Sequence, residues 1–418
     1  MKRFLTLVLI AVLATLPALA LRLTGLRPSP IADAAIFGVA ILAAGFLLSW
    51  GAEAAERRIS QGLILAAVAL VTVLPEYAVD LYFAHEAGAA GPGSPYTHYA
   101  AANMTGANRL LVGLAWPLVV LLHWMRERRR AITLAPVNAV EIGFLLLASL
   151  YAFVILLRGS IMLFDFAALA GLFGLYVWRV RNMPQADEPE EEPGPAAALK
   201  ALPPAGQWAA MAGLALIACV VILASAEPFA EAMVASGRAI GLNEFLLIQW
   251  LAPLASEAPA VSVAVLFVLA GRAANGLTTL VSDKINQWTL LVGMLPLAMS
   301  VGAGTWAALP LDARQGEEFF LTAAQSLFAL GLLLRLRLGL WSALALAGLF
   351  AVQVALAFLH KDDEARTIAT LTVLAWVYLG MAALLFAMNR RRLLGVMRAA
   401  FLGASASATP LPEEGGPR

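Results

Sequence analysis

The sequence predicts an all-α polytopic membrane protein of about twelve transmembrane helices, ten of them forming two inverted five-helix repeats. Three observations predict it. Hydrophobic residues make up 61% of the chain and charged residues 13%, and the charges cluster between apolar runs of about twenty residues. Each run is long enough to cross ~30 Å of hydrocarbon as a helix. A carboxylate inside an apolar run occurs twice, as Glu76 within 62–83 and Glu257 within 245–270. Finally, the string LLVG recurs at 110–113 and 290–293, an echo at nearly the spacing that separates the two acids.

In chain order the spans fall near 4–20, 31–50, 61–83, 98–123, 136–157, 160–178, 207–226, 244–270, 276–303, 318–335, 339–359 and 368–388. With the N-terminus inside, the inner loops carry 19 Lys and Arg against seven in the outer loops. That bias sets both termini in the cytoplasm, as expected for a bacterial inner membrane. Residues 1–30 supply an extra helix. Lys2, Arg3 and the Ala18-Leu19-Ala20 string also fit a cleavable signal peptide, but later spans suffice for targeting, which favours retention. Spans two to six form a repeat over 31–178, and spans seven to eleven a second over 207–360. Five is odd, so the second copy enters the membrane upside down, a design that puts a substrate site between the copies near the midplane. The stretch 179–206, acidic and then Pro/Ala-rich, reads as a cytoplasmic linker. Residues 361–418 add a last helix and a tail expected to be disordered after Arg398. The single cysteine, Cys219, excludes an intrachain disulfide or a thiolate metal cluster.

An ionisable group at the bilayer centre costs roughly 2.5–3.5 kcal/mol on the gentlest scale, so two in matching positions point to an ion site. Proline frees the carbonyl four residues earlier, so Pro75, Pro253 and Pro259 would release the oxygens of Val71, Gln249 and Ala255. Thr72, Glu76 and Asp80 share one helix face. Thr105, Asn108 and Arg109 share another, and Asn275, Thr279, Asp283 and Asn286 form the corresponding stripe in the second half.

These motifs resemble the cation/calcium antiporter superfamily, built from two sodium/calcium exchanger membrane regions. Its repeats read GTSLPE on one helix and GNxxGSN on the next. VTVLPE (71–76) keeps the threonine, leucine, proline and glutamate, and NMTGAN (103–108) keeps both asparagines and the glycine. The second copy is looser: PLASE (253–257) keeps the glutamate and SDKINQW (282–288) keeps Asn286. The resemblance implies a cation site of Glu76, Glu257, Asn108, Asn286 and Thr72, with the two glutamates as the principal metal ligands. Asn103, Asp80, Asp283, Arg109 and Lys284 would be accessory. It also implies alternating access by rocking of the halves.

The departures bear on ion choice. Val73 replaces a serine, and Pro253-Leu254 replaces a Thr-Ser pair, which removes hydroxyls that build sodium positions in the family. Glu76, Asp80, Glu257 and Asp283 against Arg109 and Lys284 leave a formal charge near −2. Calcium takes six to eight oxygens, and the two internal cations compete with it. Proton coupling needs less, because protons and a metal can compete for the same carboxyl oxygens. The expectation is therefore a secondary antiporter exchanging Ca²⁺ or Na⁺ against protons, or against Na⁺. It needs no cofactor beyond the transported cation, and its partners are cations, protons and the bilayer rather than nucleic acid.

Competing readings are buried ion pairs that merely set helix register, Glu76 and Glu257 with Arg109 and Lys284, or an intramembrane enzyme. No HExxH or GxSxG motif supports the enzyme. Asp80 is read either as a partner for Arg109 or as a ligand, and Asp283 as a partner for Lys284. Glu141 and Asp165 are read as helix-to-helix hydrogen-bonding groups, His85 and His360 as solvated loop residues, and His98 and His123 as groups without metal-ligand spacing.

Overall fold

The computed structural model describes residues 1–55, 73–183, 195–241 and 244–402. The helices are α1 (Lys2–Thr24), α2 (Pro30–Ala55), α3 (Leu74–Ala90), α4 (Pro95–Leu110), α5 (Trp116–Glu127), α6 (Ala139–Arg158), α7 (Leu163–Arg181) and α8 (Pro204–Ile240). The second half continues with α9 (Glu244–Leu269), α10 (Ala273–Asn286), α11 (Val292–Ala303), α12 (Ala313–Leu333), α13 (Leu340–Leu359), α14 (Glu364–Met388) and α15 (Arg390–Leu402). Among the described residues ten helical stretches are long and apolar enough to cross a membrane. α4 and α5 form one such stretch, joined by a π-helical turn at Leu111–Ala115; α10 and α11 form another, joined at Gln287–Leu291. α3 and α12, two of the twelve spans expected from the sequence, fall outside those ten.

The inverted relation of the halves is written in four short strands, β1 (Ala131–Thr133), β2 (Ser160–Ile161), β3 (Leu309–Pro310) and β4 (Arg337–Gly339). β1 pairs antiparallel with β4, and β2 with β3. The loop after the third helix of each repeat thus meets the loop after the fourth helix of the other, once at each end of the bundle. Only antiparallel copies produce that reciprocal exchange.

Glycines let the halves interlock. A Cβ on Gly88 of α3 would lie 2.0 Å from the Met299 carbonyl oxygen on α11, and one on Gly302 of α11 would lie 2.0 Å from that of His85 on α3. Gly106, inside NMTGAN, faces the Gln249 carbonyl oxygen on α9 at 1.9 Å from its missing Cβ. Backbone meets backbone at these points, as small residues allow between membrane helices.

Several boundaries differ from expectation. The third span, expected at 61–83, is described only from residue 73; it continues to Ala90. Thr72 and Val71 lie outside the described residues. Pro75 stands in the first turn of α3, where its missing N–H breaks no helical bond. The span expected at 207–226 belongs to a 37-residue helix, α8. Its polar extension is held by the last turn of α1 and the loop after it, with Arg22 2.5 Å from Glu227 and Arg27 3.7 Å from Glu231. α12 starts at Ala313 rather than 318, because Asp312 and Gln315 form a reciprocal cap and draw Arg314, Glu317 and Glu318 into the helix.

The linker is partly helical, with a 3₁₀ segment at Pro195–Ala201. The tail expected to be disordered after Arg398 is helical through Leu402. α15 packs Ala400 on Gly143 and the Phe401 ring on Phe144, with centroids 4.9 Å apart, while Arg179 donates to the carbonyls of Ala399 and Ala400.

Gly106→Ala drives a methyl group into the Gln249 carbonyl and should cost about 1–3 kcal/mol, as overpacking does. Gly348→Ala on α13, with open space around it, should cost nothing. Thermal unfolding of the purified protein in detergent compares the two.

Candidate cation-binding site

Glu76 sits in the first turn of α3, directly after Pro75. Glu257 sits in α9 between Pro253 and Pro259. Both side chains are buried, at 1% and 2% exposure. Gln287 bridges them: its Nε2 donates to Glu76 Oε2 at 2.9 Å and to Glu257 Oε1 at 2.6 Å. Gln287 opens the second π-helical turn, whose wider coil redirects side chains that an α-helix would aim elsewhere.

The surrounding polar contacts also cross between the repeats. Tyr77 donates to Asn286 Oδ1 at 2.7 Å, and Lys284 Nζ donates to the backbone and carboxamide oxygens of Asn108, each at 3.1 Å. Asn103 Nδ2 donates to Asp80 Oδ1 at 2.9 Å within the first half. Around this centre Glu76 Oε1, Glu257 Oε2, Gln287 Oε1, Asp80 Oδ2, Asn103 Oδ1 and Asp283 Oδ2 are buried without hydrogen-bond partners among the described residues. Buried oxygens are normally satisfied, and an all-oxygen donor set suits a hard cation. Among the described residues no three Asp, Glu, His or Cys side chains converge as a metal cluster, so amide or backbone oxygens would have to share in holding an ion.

The structure therefore brings Glu76, Glu257, Asn108, Asn286, Asp80, Asn103 and Lys284 into one connected region. It does so with partners the sequence did not disclose. The carboxamide oxygens of Asn108 and Asn286 are engaged by Lys284 and Tyr77, while Gln287, outside the expected site, holds the two acids. The only cue to it was its place next to Asn286.

The proposed pairings of Arg109 with Asp80 or with the central glutamates do not form. Arg109 lies 2.5 Å from Glu318 on α12 and over the Trp250 ring at 5.0 Å. Asp80 bonds to Asn103 instead. Lys284 turns to Asn108 rather than forming the expected pair with Asp283. Its Nζ is also 5.5 Å from the Trp288 ring centroid.

Asp165 does join helices, accepting from Tyr151 on α6 at 2.6 Å and pairing with Arg158. Glu141 is buried, and its Oε2 has no hydrogen-bond partner among the described residues. His98 lies near Asp312, and His123 near Glu127 one turn on.

Comparison with known proteins gives the class. The family model for the sodium/calcium exchanger protein matches residues 31–181 and 210–359. Among solved structures the chain is similar to an H⁺/Ca²⁺ exchanger, CAX, with TM-score 0.88 and 38% identity over 95% of this chain and 98% of that one. It shares its fold with YfkE (TM-score 0.59, 16% identity, 85% and 99% covered) and with the sodium-calcium exchanger NCX_Mj (0.52, 16%, 78% and 99%). A search of curated protein sequences finds no match. The chain belongs to the sodium/calcium exchanger family, an integral multi-pass membrane family of transporters rather than enzymes.

Replacing Gln287 by leucine removes the donor shared by two buried acids and should destabilise the protein by roughly 1–3 kcal/mol. Glu76→Gln in the same background should recover part of that loss, because one of the two charges is then gone. Denaturant unfolding followed by tryptophan fluorescence measures both.

Proposed function

We propose that the chain is a secondary active antiporter that exchanges Ca²⁺, or alternatively Na⁺, for protons by alternating access. One observation carries the reading: two glutamates from opposite repeats are held on a single amide nitrogen, with their remaining oxygens buried and, among the described residues, unpartnered. The likeness to the H⁺/Ca²⁺ exchanger CAX over nearly the whole chain supports the same choice of ions.

The chemistry follows from charge. Two ionised carboxylates in a dry interior are costly unless a cation or protons neutralise them. An empty, doubly charged site is therefore a poor passenger across the low-dielectric middle of the membrane. A site loaded with a metal cation or with protons can cross, and exchange results because the two loads compete for the same oxygens. Gln287 would follow the acids, turning its free Oε1 toward a metal or its Nε2 toward carboxylates. Asn108 and Asn286 would join the cation's shell once Lys284 and Tyr77 release them. Thr72 remains a further candidate ligand by its place in the motif. Asn103, Asp80 and Asp283 would act as accessory groups.

The Lys and Arg bias of the sequence supports cytoplasmic termini in a bacterial inner membrane, with the β2/β3 end outside. Sodium coupling is disfavoured by the missing hydroxyls at Val73 and at Pro253-Leu254.

Proteoliposomes with an imposed pH gradient should take up Ca²⁺ in the direction opposite to proton flow. Glu76→Gln and Glu257→Gln should each reduce that uptake to the level of empty vesicles. In detergent, Ca²⁺ at a hundred times its dissociation constant should stabilise the wild type by about 2.7 kcal/mol and leave both variants unmoved. Uptake indifferent to the gradient, or surviving both substitutions, would sink the reading.

A further inference from the structure

A second pair of acids lies outside the central network and has no part in the exchange described above. Glu317 and Glu318 stand side by side near the start of α12, 4% and 0% exposed. Glu318 is clamped between two arginines, with Oε2 2.5 Å from Arg109 and Oε1 2.6 Å from Arg314. Glu317 makes no such ion pair among the described residues, although the charges of Arg109 and Arg314 reach it; its two carboxyl oxygens, like those of Glu318, are buried without a hydrogen bond there. The arginines have other commitments, Arg109 to the Thr105 carbonyl and the Trp250 face, and Arg314 to the Phe245 face.

The cluster balances two arginines against two glutamates. It is neutral when both acids are ionised and carries one positive charge when Glu317 holds a proton. It is also connected in both directions. Arg314 lines a cavity of about 400 Å³ at the β2/β3 end, together with His98, Tyr99, Glu244, Lys361 and Glu364. At the other side Arg109 directly follows Asn108, whose oxygens hold Lys284.

Charged and titratable groups come to the Glu317 cluster from several helices. α4 brings Arg109, and α12 itself brings Glu318 and Arg314. α14 brings Tyr378, which lies within reach of the Arg109 charge. α6 commits its Arg158 to Asp165 instead.

We infer that Glu317 is a second proton-binding site, separate from the central glutamates, filled from the cavity and linked to the centre through Arg109. Its role rests on the antiport reading above; its existence rests on the geometry. A proton on Glu317 leaves uncompensated positive charge beside Asn108 and Lys284, which disfavours a metal cation between Glu76 and Glu257. Metal binding in turn disfavours that proton, by the reciprocity of linked sites.

Two measurements on the full chain test this. The first is infrared difference spectroscopy of purified protein between acidic and alkaline pH. Wild type should lose a protonated-carboxyl band that Glu317→Gln lacks and that Glu76→Gln and Glu257→Gln retain. The second is exchange in proteoliposomes, where Glu317→Gln should move one proton fewer per Ca²⁺, and its apparent Ca²⁺ affinity should lose several-fold of its pH dependence. A band unchanged in Glu317→Gln, or an unchanged proton-to-calcium ratio and pH profile, overturns the inference. If Glu317→Gln does not fold, Glu317→Asp should shift the band, and an unshifted band overturns it equally. A wild type that exchanges nothing yet shows the Glu317 band would defeat the antiport reading while supporting the proton site; absence of both would defeat both.

Discussion

Two ionised acids from opposite halves of a membrane bundle repel each other in a dry interior unless a donor, a proton or a cation is shared between them. Here the shared donor is the Gln287 amide nitrogen, 2.9 Å from one carboxylate and 2.6 Å from the other. The rest of the central architecture follows from that contact. Tyr77 to Asn286 and Lys284 to Asn108 tie the same helices across the repeat boundary, so the halves meet through polar groups rather than through apolar packing alone. Hydrogen bonds between membrane helices average well under 2 kcal/mol each. An interface held by several such bonds is both specific and able to exchange partners, which suits a site that must open to two sides.

Packing makes the contact reachable. Gly106 lets α4 come against the carbonyl of Gln249, the carbonyl that Pro253 deprives of its helical donor. Gly88 and Gly302 bring α3 and α11 together in the same way. The π-helical turns at Leu111–Ala115 and Gln287–Leu291 add a residue to the coil just where the polar face must turn inward. The β1/β4 and β2/β3 pairs then fasten the loops of one repeat to those of the other at both ends of the bundle.

The internal cations are separated by task. Lys284 remains with the central network, bound to neutral oxygens of Asn108, where its charge offsets part of the acids' own. Arg109, its near counterpart in the first half, is turned away to Glu318. The repeats are therefore alike in backbone and unlike in charge, and the asymmetry places a second electrostatic cluster between the centre and the cavity at the β2/β3 end.

The membrane class, ten of the expected spans, the two repeats and the pair of buried glutamates were legible in the sequence, because each is recorded in local hydropathy or in a motif that recurs along the chain. The family match over 31–181 and 210–359 falls on the same two stretches. Only the tertiary structure decided which partner each polar side chain takes. Gln287 and Glu76, Tyr77 and Asn286, and Arg109 and Glu318 are all separated by about two hundred residues. Helical spacing states which face a side chain occupies, but not which distant helix lies opposite. The same limit hid the order in α15: a basic stretch ending in small residues reads as a tail until Gly143 and Phe144 give its apolar face somewhere to lie.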